Sequence, residues 1–444
     1  MAQSSSRRGA RSIGWSRPAW VLAPAAAVTL VLVAASPGAA KAAPTGTPIV
    51  STVAGNGTAG YSGDKALATA AELNGPCGVA VDKAGNVLFS DTNNNVIRAL
   101  AETSGEYYGQ SMTAGDVYTI AGDGTGGYIG DGGPPTEAQL ETPDGLSVDA
   151  AGDVVISDTG NYVVRFIPAT SSVHFGTAMV AGDIYTVAGN TEYGFSGAGG
   201  QATSAELGLD VVTGVAIDKN GNLIISDGDN NVIWAVADTT GTFWGQSMTA
   251  GDIYIIAGND EGNSGYKGNG VPATKSLLDE PEGLAVDSAG NIVFADDSND
   301  VVRVIADEGG KFYGKSMKAN DIYTVGPKSD EDTFNSPEGL SVDAAGNIVF
   351  ADAGNNVIYL IGGSSGTDDG IKVKPGKLYT IAGNGDTGYT GDGGNPMSAE
   401  FNGPCAVAGD AHGNFFIADG GNNVIREITL QTTATVDERA LAKG

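Results

Sequence analysis

A repeated pattern occupies most of the chain and limits what it can fold into. The pattern G-(N/D)-x-x-x-(S/A)-D occurs six times, and successive copies are 56 to 69 residues apart. The aspartates that end the six copies are Asp91, Asp158, Asp227, Asp296, Asp352 and Asp419. Each copy holds short apolar runs bounded by Asp, Gly and Asn, which are typical of short β-strands. Repeats of this length are supersecondary units that bury their apolar faces against one another.

Each copy contains four such strand signals, which in the first copy are Gly78–Asp82, Asn86–Asp91, Asn95–Arg98 and Val117–Gly122. The D-x-x-G-N link between the first two is a hairpin turn, although its aspartate could also be read as a metal ligand. Ile49–Ala54 matches a fourth strand, whereas the last copy ends after its third strand at Ile428. The sequence therefore predicts an all-β, six-bladed β-propeller with four-stranded blades, closed by the N-terminal strand completing the last blade.

Two longer signatures carry a resemblance to a known family. Tyr128–Leu140 reads Y-x-G-D-G-G-P-x-T-x-A-x-L, and Phe312–Tyr323 reads F-Y-G-x-S-M-x-A-x-D-I-Y. With these motifs the chain resembles, over residues 48–430, the glycine-rich NHL-repeat propellers of many exported bacterial proteins. The resemblance implies the propeller fold, but such propellers serve as binding platforms, sensor domains and occasional lyases. The fifth copy departs from the family pattern, because Gly326–Ser336 lacks the glycine-rich loop.

The first 42 residues differ in kind from the rest and are predicted to be a signal peptide. Four arginines precede the apolar stretch Ala19–Ala35, and Ala40-Lys41-Ala42 supplies small residues for cleavage. General secretion and twin-arginine export both remain open, and an uncleaved anchor is the alternative. The predicted domains are the signal peptide 1–42, the propeller 43–430 and a polar tail 431–444. We expect a monomer, secreted and extracellular or cell-wall associated, without membrane insertion after cleavage.

The charge of the remaining chain limits its partners. The whole sequence has 23 basic and 52 acidic residues, and the predicted signal peptide holds five of the basic ones and none of the acidic ones. So acidic a protein repels phosphate backbones, which excludes nucleic acid as an expected partner. Cationic ligands, Ca²⁺ or basic partners fit better, while solubility alone is the simpler explanation. No cofactor is expected, although Ca²⁺ is possible.

The middle residue of the P-x-G motif, or of its equivalent in the third copy (V-T-G) and the sixth copy (P-C-A), enters the predicted channel along the propeller axis. These channel-mouth residues are Cys77, Asp144, Thr213, Glu282, Glu338 and Cys405. The three carboxylates would repel each other at close range, so they need a cation, a proton, a basic ligand or a wide hydrated channel mouth. One hypothesis is a Ca²⁺ ion bound by Asp144, Glu282 and Glu338. Ring closure makes Cys77 and Cys405 neighbours, which predicts a disulfide between them, with free thiols or a reactive thiol pair as alternatives.

Aromatic side chains mark the loops between the third and fourth strands. The ring positions are Tyr108, Phe175, Trp244 and Tyr313. They can stack on a sugar or hold a peptide, or they can pack their own loop. The chain has only two histidines and no G-x-S-x-G elbow, which weakens an enzymatic reading. The sequence favours a non-enzymatic binding or scaffold module for an extracellular protein, peptide or cell-wall glycan; the alternative is a Ca²⁺-dependent hydrolase or lyase at the acidic channel mouth.

Overall fold

A computed structural model describes residues 48–209, 213–327, 334–364, 366–368 and 371–429. The predicted signal peptide and the polar tail 431–444 lie outside these residues. No helix in the described part of the chain is long and apolar enough to cross a bilayer. What is described consists of β-strands, single-turn 3₁₀ helices and the loops that join them.

Six antiparallel sheets form the blades, and each is built from one sequence repeat. From the axis outward, the strands are Pro76–Val81, Val87–Asp91, Val96–Leu100, Asp116–Ala121 and Ala66–Leu67 in blade 1; Pro143–Val148, Val154–Asp158, Val163–Ile167 and Tyr185–Ala188 in blade 2; Val215–Ile217, Leu223–Asp227, Val232–Val236, Asp252–Ala257 and Gly200–Gln201 in blade 3. They are Pro281–Val286, Ile292–Asp296, Val301–Ile305, Asp321–Val325 and Val271–Pro272 in blade 4; Pro337–Val342, Ile348–Asp352, Val357–Ile361 and Leu378–Ala382 in blade 5; Pro404–Gly409, Phe415–Asp419, Val424–Thr429 and Ile49–Ala54 in blade 6.

The ring closes as the sequence predicts. The innermost strands of successive blades contact each other in chain order, and that of blade 6 contacts that of blade 1. Ile49–Ala54 pairs antiparallel with Val424–Thr429, with Val50 opposite Ile428. Both exposed edges that an open arrangement would leave are therefore paired, which confirms the six-bladed β-propeller.

Blades 1 to 5 each carry a small two-stranded hairpin between the third and fourth strands. The hairpin strands are Gly105–Tyr107 with Gln110–Met112, Ser172–His174 with Thr177–Met179, Gly241–Phe243 with Gln246–Met248, Gly310–Phe312 with Lys315–Met317, and Gly366–Asp368 with Ile371–Val373. We number the hairpins 1 to 5 with their blades. The 3₁₀ turns are Ala68–Ala70, Thr92–Asn94, Pro135–Glu137, Thr159–Asn161, Ala202–Ser204, Ala273–Lys275, Asp297–Asn299, Ala353–Asn355, Pro396–Ser398 and Gly420–Asn422.

A buried arginine explains much of the repeated sequence. In four blades it is fully buried and forms an ion pair with the aspartate that ends the repeat pattern: Arg98 with Asp91, Arg165 with Asp158, Arg303 with Asp296 and Arg426 with Asp419. The same guanidinium lies against the tyrosine of the glycine-rich loop, 5.3 Å from the ring centre for Arg98 and Tyr61. In blade 3, Trp234 replaces the arginine and donates to Asp227 at 2.7 Å. These groups fix each loop to its own blade.

The glycine-rich loops run along the outer edges of the blades instead of crowding one face. Ala66–Leu67, Gly200–Gln201 and Val271–Pro272 add short strands to the outer strands of blades 1, 3 and 4. In blade 2, Gly133 forms an isolated bridge with Ile184, which directly precedes the outer strand. The loops therefore protect sheet edges, and the face around the axis is left to other residues.

The axis is narrow at the P-x-G motifs, where neighbouring inner strands approach each other closely. A Cβ atom added at Gly78 would clash with the backbone oxygen of Asp144, and one at Gly145 would clash with that of Thr213. The inner strands leave a cavity of about 40 Å³ at this level, which is room for one or two water molecules. Further along the axis, a wider cavity of about 220 Å³ is lined by the later residues of the inner strands of all six blades. Glycine at Gly78 and Gly145 is thus favoured by the close approach of neighbouring inner strands, whereas blade 6 has Ala406 at the equivalent position.

Candidate functional site

A depression of about 500 Å³ opens at one end of the axis. Cys77, Asp144, Glu338 and Cys405 line it, together with asparagines and glycines from the loops of blades 1 and 6. The P-x-G motif brings them there: the innermost strand bulges at this motif, and the Gly78 amide donates to Ser90 Oγ at 2.6 Å. A bulge of this kind redirects the neighbouring side chain. We call this site the axial depression.

Two carboxyl groups line the axial depression, and that of Asp144 is held more rigidly than that of Glu338. It is 3% exposed, and Thr92 Oγ1 donates to its Oδ1 at 3.2 Å. Ser90 Oγ donates to its backbone oxygen at 2.8 Å. Blade 1 therefore fixes both the backbone and the carboxyl group of this residue from blade 2.

Glu338 comes from blade 5, opposite blade 2 in a ring of six, and is half-buried. Burial raises its pKa to about 8, and the nearby carboxylates Asp297 and Asp144 add to the rise. Burial likewise raises the pKa of Asp297 to about 6. Burial and the charges of these neighbouring carboxylates both disfavour the ionised form, so the raised pKa favours a protonated Glu338 at neutral pH.

Sequence reasoning missed Asp297, which is 8% exposed and follows the repeat aspartate of blade 4. The corresponding residues in the other blades are Thr92, Thr159, Gly228, Ala353 and Gly420. Only blade 4 therefore has an acidic side chain at this position. That departure between repeats is the signal by which Asp297 could have been found.

Cys77 and Cys405 meet in the axial depression, but the structure has both as free thiols. The predicted disulfide is thus not shown. The hydrogen bond with Cys405 and burial raise the pKa of Cys77 well above its usual range. For Cys405 the hydrogen bond with Cys77 lowers the pKa, but burial and the nearby carboxylates together raise it by more. Both thiols are therefore protonated at neutral pH and poor nucleophiles.

The other two channel-mouth candidates contribute less to the axial depression. Thr213 is buried and lines the small axial cavity beside Asp144 and Cys77. Glu282 is half-buried and lines neither the depression nor that cavity. Among the described residues, no three His, Cys, Asp or Glu side chains are arranged to hold a metal ion. Asp144, Glu282 and Glu338 do not form such a group in the described residues, and Ca²⁺ binding stays a prediction.

The aromatic candidates lie on the opposite face, and most of them are not accessible. Phe175, Trp244 and Tyr313 are 6%, 8% and 4% exposed. Phe175 packs edge-on against Phe166, and the Tyr313 hydroxyl donates to Asp287 at 2.9 Å. These three rings pack their own hairpins and cannot stack on a ligand without rearrangement. Tyr108 is the exception, since its ring is half-buried while its hydroxyl donates to Asp82 at 2.7 Å.

The two histidines stay away from the axis. His174 lies in hairpin 2, and its Nδ1 is 3.7 Å from the carboxylate of Asp238. His412 Nδ1 lies 3.6 Å from Asp410 in a turn between the first two strands of blade 6. Neither lines the axial depression.

Comparison with known proteins supports the fold and leaves the family open. No protein-family model matches the chain. Teneurin-1 of Homo sapiens is 26% identical over 260 residues, which cover 52% of this chain and only 8% of teneurin-1. The chain thus spans less than a tenth of this curated relative.

Solved structures match over most of the chain. A structural-genomics protein of unknown function from Bacteroides thetaiotaomicron is 17% identical, with a TM-score of 0.52, covering 86% of this chain and 76% of that one. An auxiliary nutrient binding protein from Bacteroides ovatus is 12% identical, with a TM-score of 0.50, covering 86% and 77%. At these identities the likeness shows the fold alone: this chain is a six-bladed β-propeller similar in architecture to bacterial propeller proteins.

Proposed function

We propose that this chain is a secreted, non-enzymatic binding propeller of the NHL type whose axial depression holds a cationic group of an extracellular protein, peptide or glycan. The observation that carries the proposal is the pairing of Asp144 and Glu338, from opposite blades, in one open depression. A cation between them would offset the repulsion that raises the pKa of Glu338. The excess of acidic residues over the whole chain would attract such a ligand.

Several other features support a binding role. The thiols of the axial depression are protonated at neutral pH, and the described residues present no metal-ligand cluster through which a hydrolase could act. The signal peptide predicted at residues 1–42 supports export. The structural neighbour from Bacteroides ovatus is named as a nutrient binding protein, so a binding role has a precedent on this architecture.

The protonated state of Glu338 makes the proposal testable. At neutral pH its carboxyl group holds a proton, and an arriving cation favours the carboxylate and releases that proton. Binding should therefore tighten as the pH rises towards about 8, the pKa of Glu338. Linkage of one proton allows up to about tenfold in affinity per pH unit below that pKa.

The experiment is calorimetric titration of the purified propeller with a tetra-arginine peptide at pH 6, 7 and 8. We expect binding that strengthens with pH, and Glu338→Gln should remove this dependence and weaken binding at pH 8 by about tenfold. Glu308→Gln is the matched control, because Glu308 is an exposed carboxylate just before hairpin 4, away from the axial depression. Equal affinities and pH profiles for the wild type and Glu338→Gln would contradict the proposal.

A further inference from the structure

The boundary between blades 1 and 2 differs from the three boundaries that follow it on the face that carries the hairpins. Hairpins 2, 3 and 4 rest on the next blade: a Cβ atom added at Gly176 would lie 3.5 Å from the Ala250 oxygen, and one at Gly314 would lie 2.9 Å from the Pro375 oxygen. The same test at Gly109, in hairpin 1, meets no heavy atom within 4 Å. Gly182, in the turn of blade 2 that should receive hairpin 1, also meets none. Hairpin 1 is therefore not seated on blade 2.

The sequence differs where hairpin 1 should be received. In blade 3, the Asp238 carboxylate accepts a hydrogen bond of 2.9 Å from the Phe175 amide of hairpin 2. Blade 2 has Ala169 at the position of Asp238. The two positions are equivalent because each backbone amide donates to the side chain at the same place in its own repeat, Ala169 to Asp153 and Asp238 to Asn222. Hairpin 1 thus lacks the carboxylate partner that hairpin 2 uses.

The gap is a groove with two lobes. One lobe, of about 510 Å³, lies between hairpin 1 and the turns of blade 2 around Ala151 and Pro168. The other, of about 570 Å³, extends towards the outer rim beside Pro135. Tyr108 and Gly109 line both lobes and stand between them. We call this space the blade 1–2 groove. Each lobe has a volume typical of small-molecule sites.

The chemistry of the groove combines a flat ring with a polar rim. Tyr108 is fixed by its hydrogen bond to Asp82, so its half-buried ring is a rigid platform. Asp82, Lys83 and Glu106 line the inner lobe, and Gln110 lines the outer one. Glycine-rich turns add exposed backbone groups at Gly152 and Gly182. Flat apolar faces with a surrounding ring of hydroxyl groups are what such a site would recognise.

We propose that the blade 1–2 groove binds a neutral oligosaccharide, with a sugar ring stacked on Tyr108 and its hydroxyl groups bonded to the polar rim. This assignment rests on the proposed binding role but not on the axial depression. Four carboxylates line the two lobes against two lysines: Asp64, Asp82, Glu106 and Asp123 against Lys65 and Lys83. This balance disfavours uronic acids and phosphorylated sugars. The polar rim gives a neutral sugar more partners than it gives an apolar side chain.

The test is calorimetric titration of the propeller with maltotetraose, cellotetraose and chitotetraose, each used separately. We expect at least one of them to bind. Tyr108→Ala should then weaken binding at least about tenfold, because the stacking face is lost, while Tyr108→Phe keeps the ring and should bind within about threefold of the wild type. Ala151→Trp should weaken binding as much as Tyr108→Ala does, because the added side chain fills the groove from the wall opposite Tyr108.

Ala345→Trp is the matched control for Ala151→Trp, since Ala345 holds the same exposed turn position in blade 5. It should leave binding unchanged. Glu338→Gln should also leave saccharide binding unchanged, so failure at the axial depression is distinguishable from failure here. A tri-lysine peptide is titrated as a cationic probe. The proposal is overturned if no saccharide binds, if Ala151→Trp and Ala345→Trp bind the saccharide equally well, or if only the tri-lysine peptide binds at the groove. Thermal unfolding checks that each variant is folded.

Discussion

The boundary between blades 2 and 3 and the boundary between blades 1 and 2 are built from the same repeat and end differently. At the first, hairpin 2 is seated: the Phe175 amide bonds to Asp238, and the Phe175 ring is buried against Phe166. At the second, hairpin 1 makes no such contact with blade 2 at Gly109, and Tyr108 is half-buried. The difference teaches that seating a hairpin stabilises the scaffold, whereas leaving one unseated creates a site at the same place in the repeat.

The largest expected effect is on stability, when the aromatic ring of hairpin 2 is removed and compared with that of hairpin 1. Phe175→Ala should lower the free energy of unfolding by about 3–5 kcal/mol, because it leaves a cavity in a packed core. Tyr108→Ala should cost only about 1 kcal/mol, the usual value of one hydrogen bond, since its ring is half-buried. Urea unfolding of the two variants measures the difference, and equal costs would show that hairpin 1 is as tightly packed as hairpin 2.

A pH experiment separates the axis from both boundaries. The folded pKa of Glu338, about 8, lies above the ordinary glutamate value of about 4.3. The stability contributed by its protonated form is therefore complete below pH 4.3 and is lost as the pH rises to 8. Glu338→Gln should gain about 3–4 kcal/mol relative to the wild type between pH 5 and pH 8. Urea midpoints at both pH values measure this gain, and a constant difference between the proteins would refute it.

Two glycines in the receiving turns probe the seating directly. Gly251 and Gly182 have φ angles of 81° and 78°, so alanine is strained at both. A Cβ atom at Gly251 would also lie 2.7 Å from the Phe175 oxygen, whereas one at Gly182 meets nothing within 4 Å. Gly182→Ala should cost about 1 kcal/mol from backbone strain, and Gly251→Ala about 1–2 kcal/mol more because a seated hairpin must move. Thermal unfolding of the pair tests this, and similar melting temperatures would indicate that hairpin 2 yields freely.

The smallest expected effect comes from exchanging the residue types at Asp238 and Ala169, the equivalent positions that face hairpins 2 and 1. Asp238→Ala removes the acceptor of the Phe175 amide and should cost about 1 kcal/mol. Ala169→Asp offers hairpin 1 the same partner and should slow hydrogen exchange of the Tyr108 amide several-fold, consistent with about 1 kcal/mol of local stabilisation. Exchange of both amides, followed by NMR, reads the two changes side by side. If the Tyr108 amide exchanges as before, more than this one carboxylate keeps hairpin 1 unseated.

Much of the architecture could be predicted from local patterns. The six repeats, the four strands in each and the pairing of Ile49–Ala54 with the last blade all follow from apolar runs and turn residues close together in the chain. The meeting of Cys77, Asp144, Glu338 and Cys405 also follows, because equivalent positions of a closed ring converge on its axis. Asp297 was missed, since it belongs to a neighbouring blade and has no place in the P-x-G pattern.

By itself the sequence determined that this chain forms a closed ring of six blades and placed most of the P-x-G residues at its axis, because repetition and strand periodicity are local properties that every copy restates. The tertiary structure alone decided that close contacts at glycines narrow the axis, that three hairpin aromatics are buried while Tyr108 is half-buried, and that the pKa of Glu338 is raised near Asp297. Each of these depends on the distance between different blades. That distance is set by packing across the ring, which no single repeat encodes.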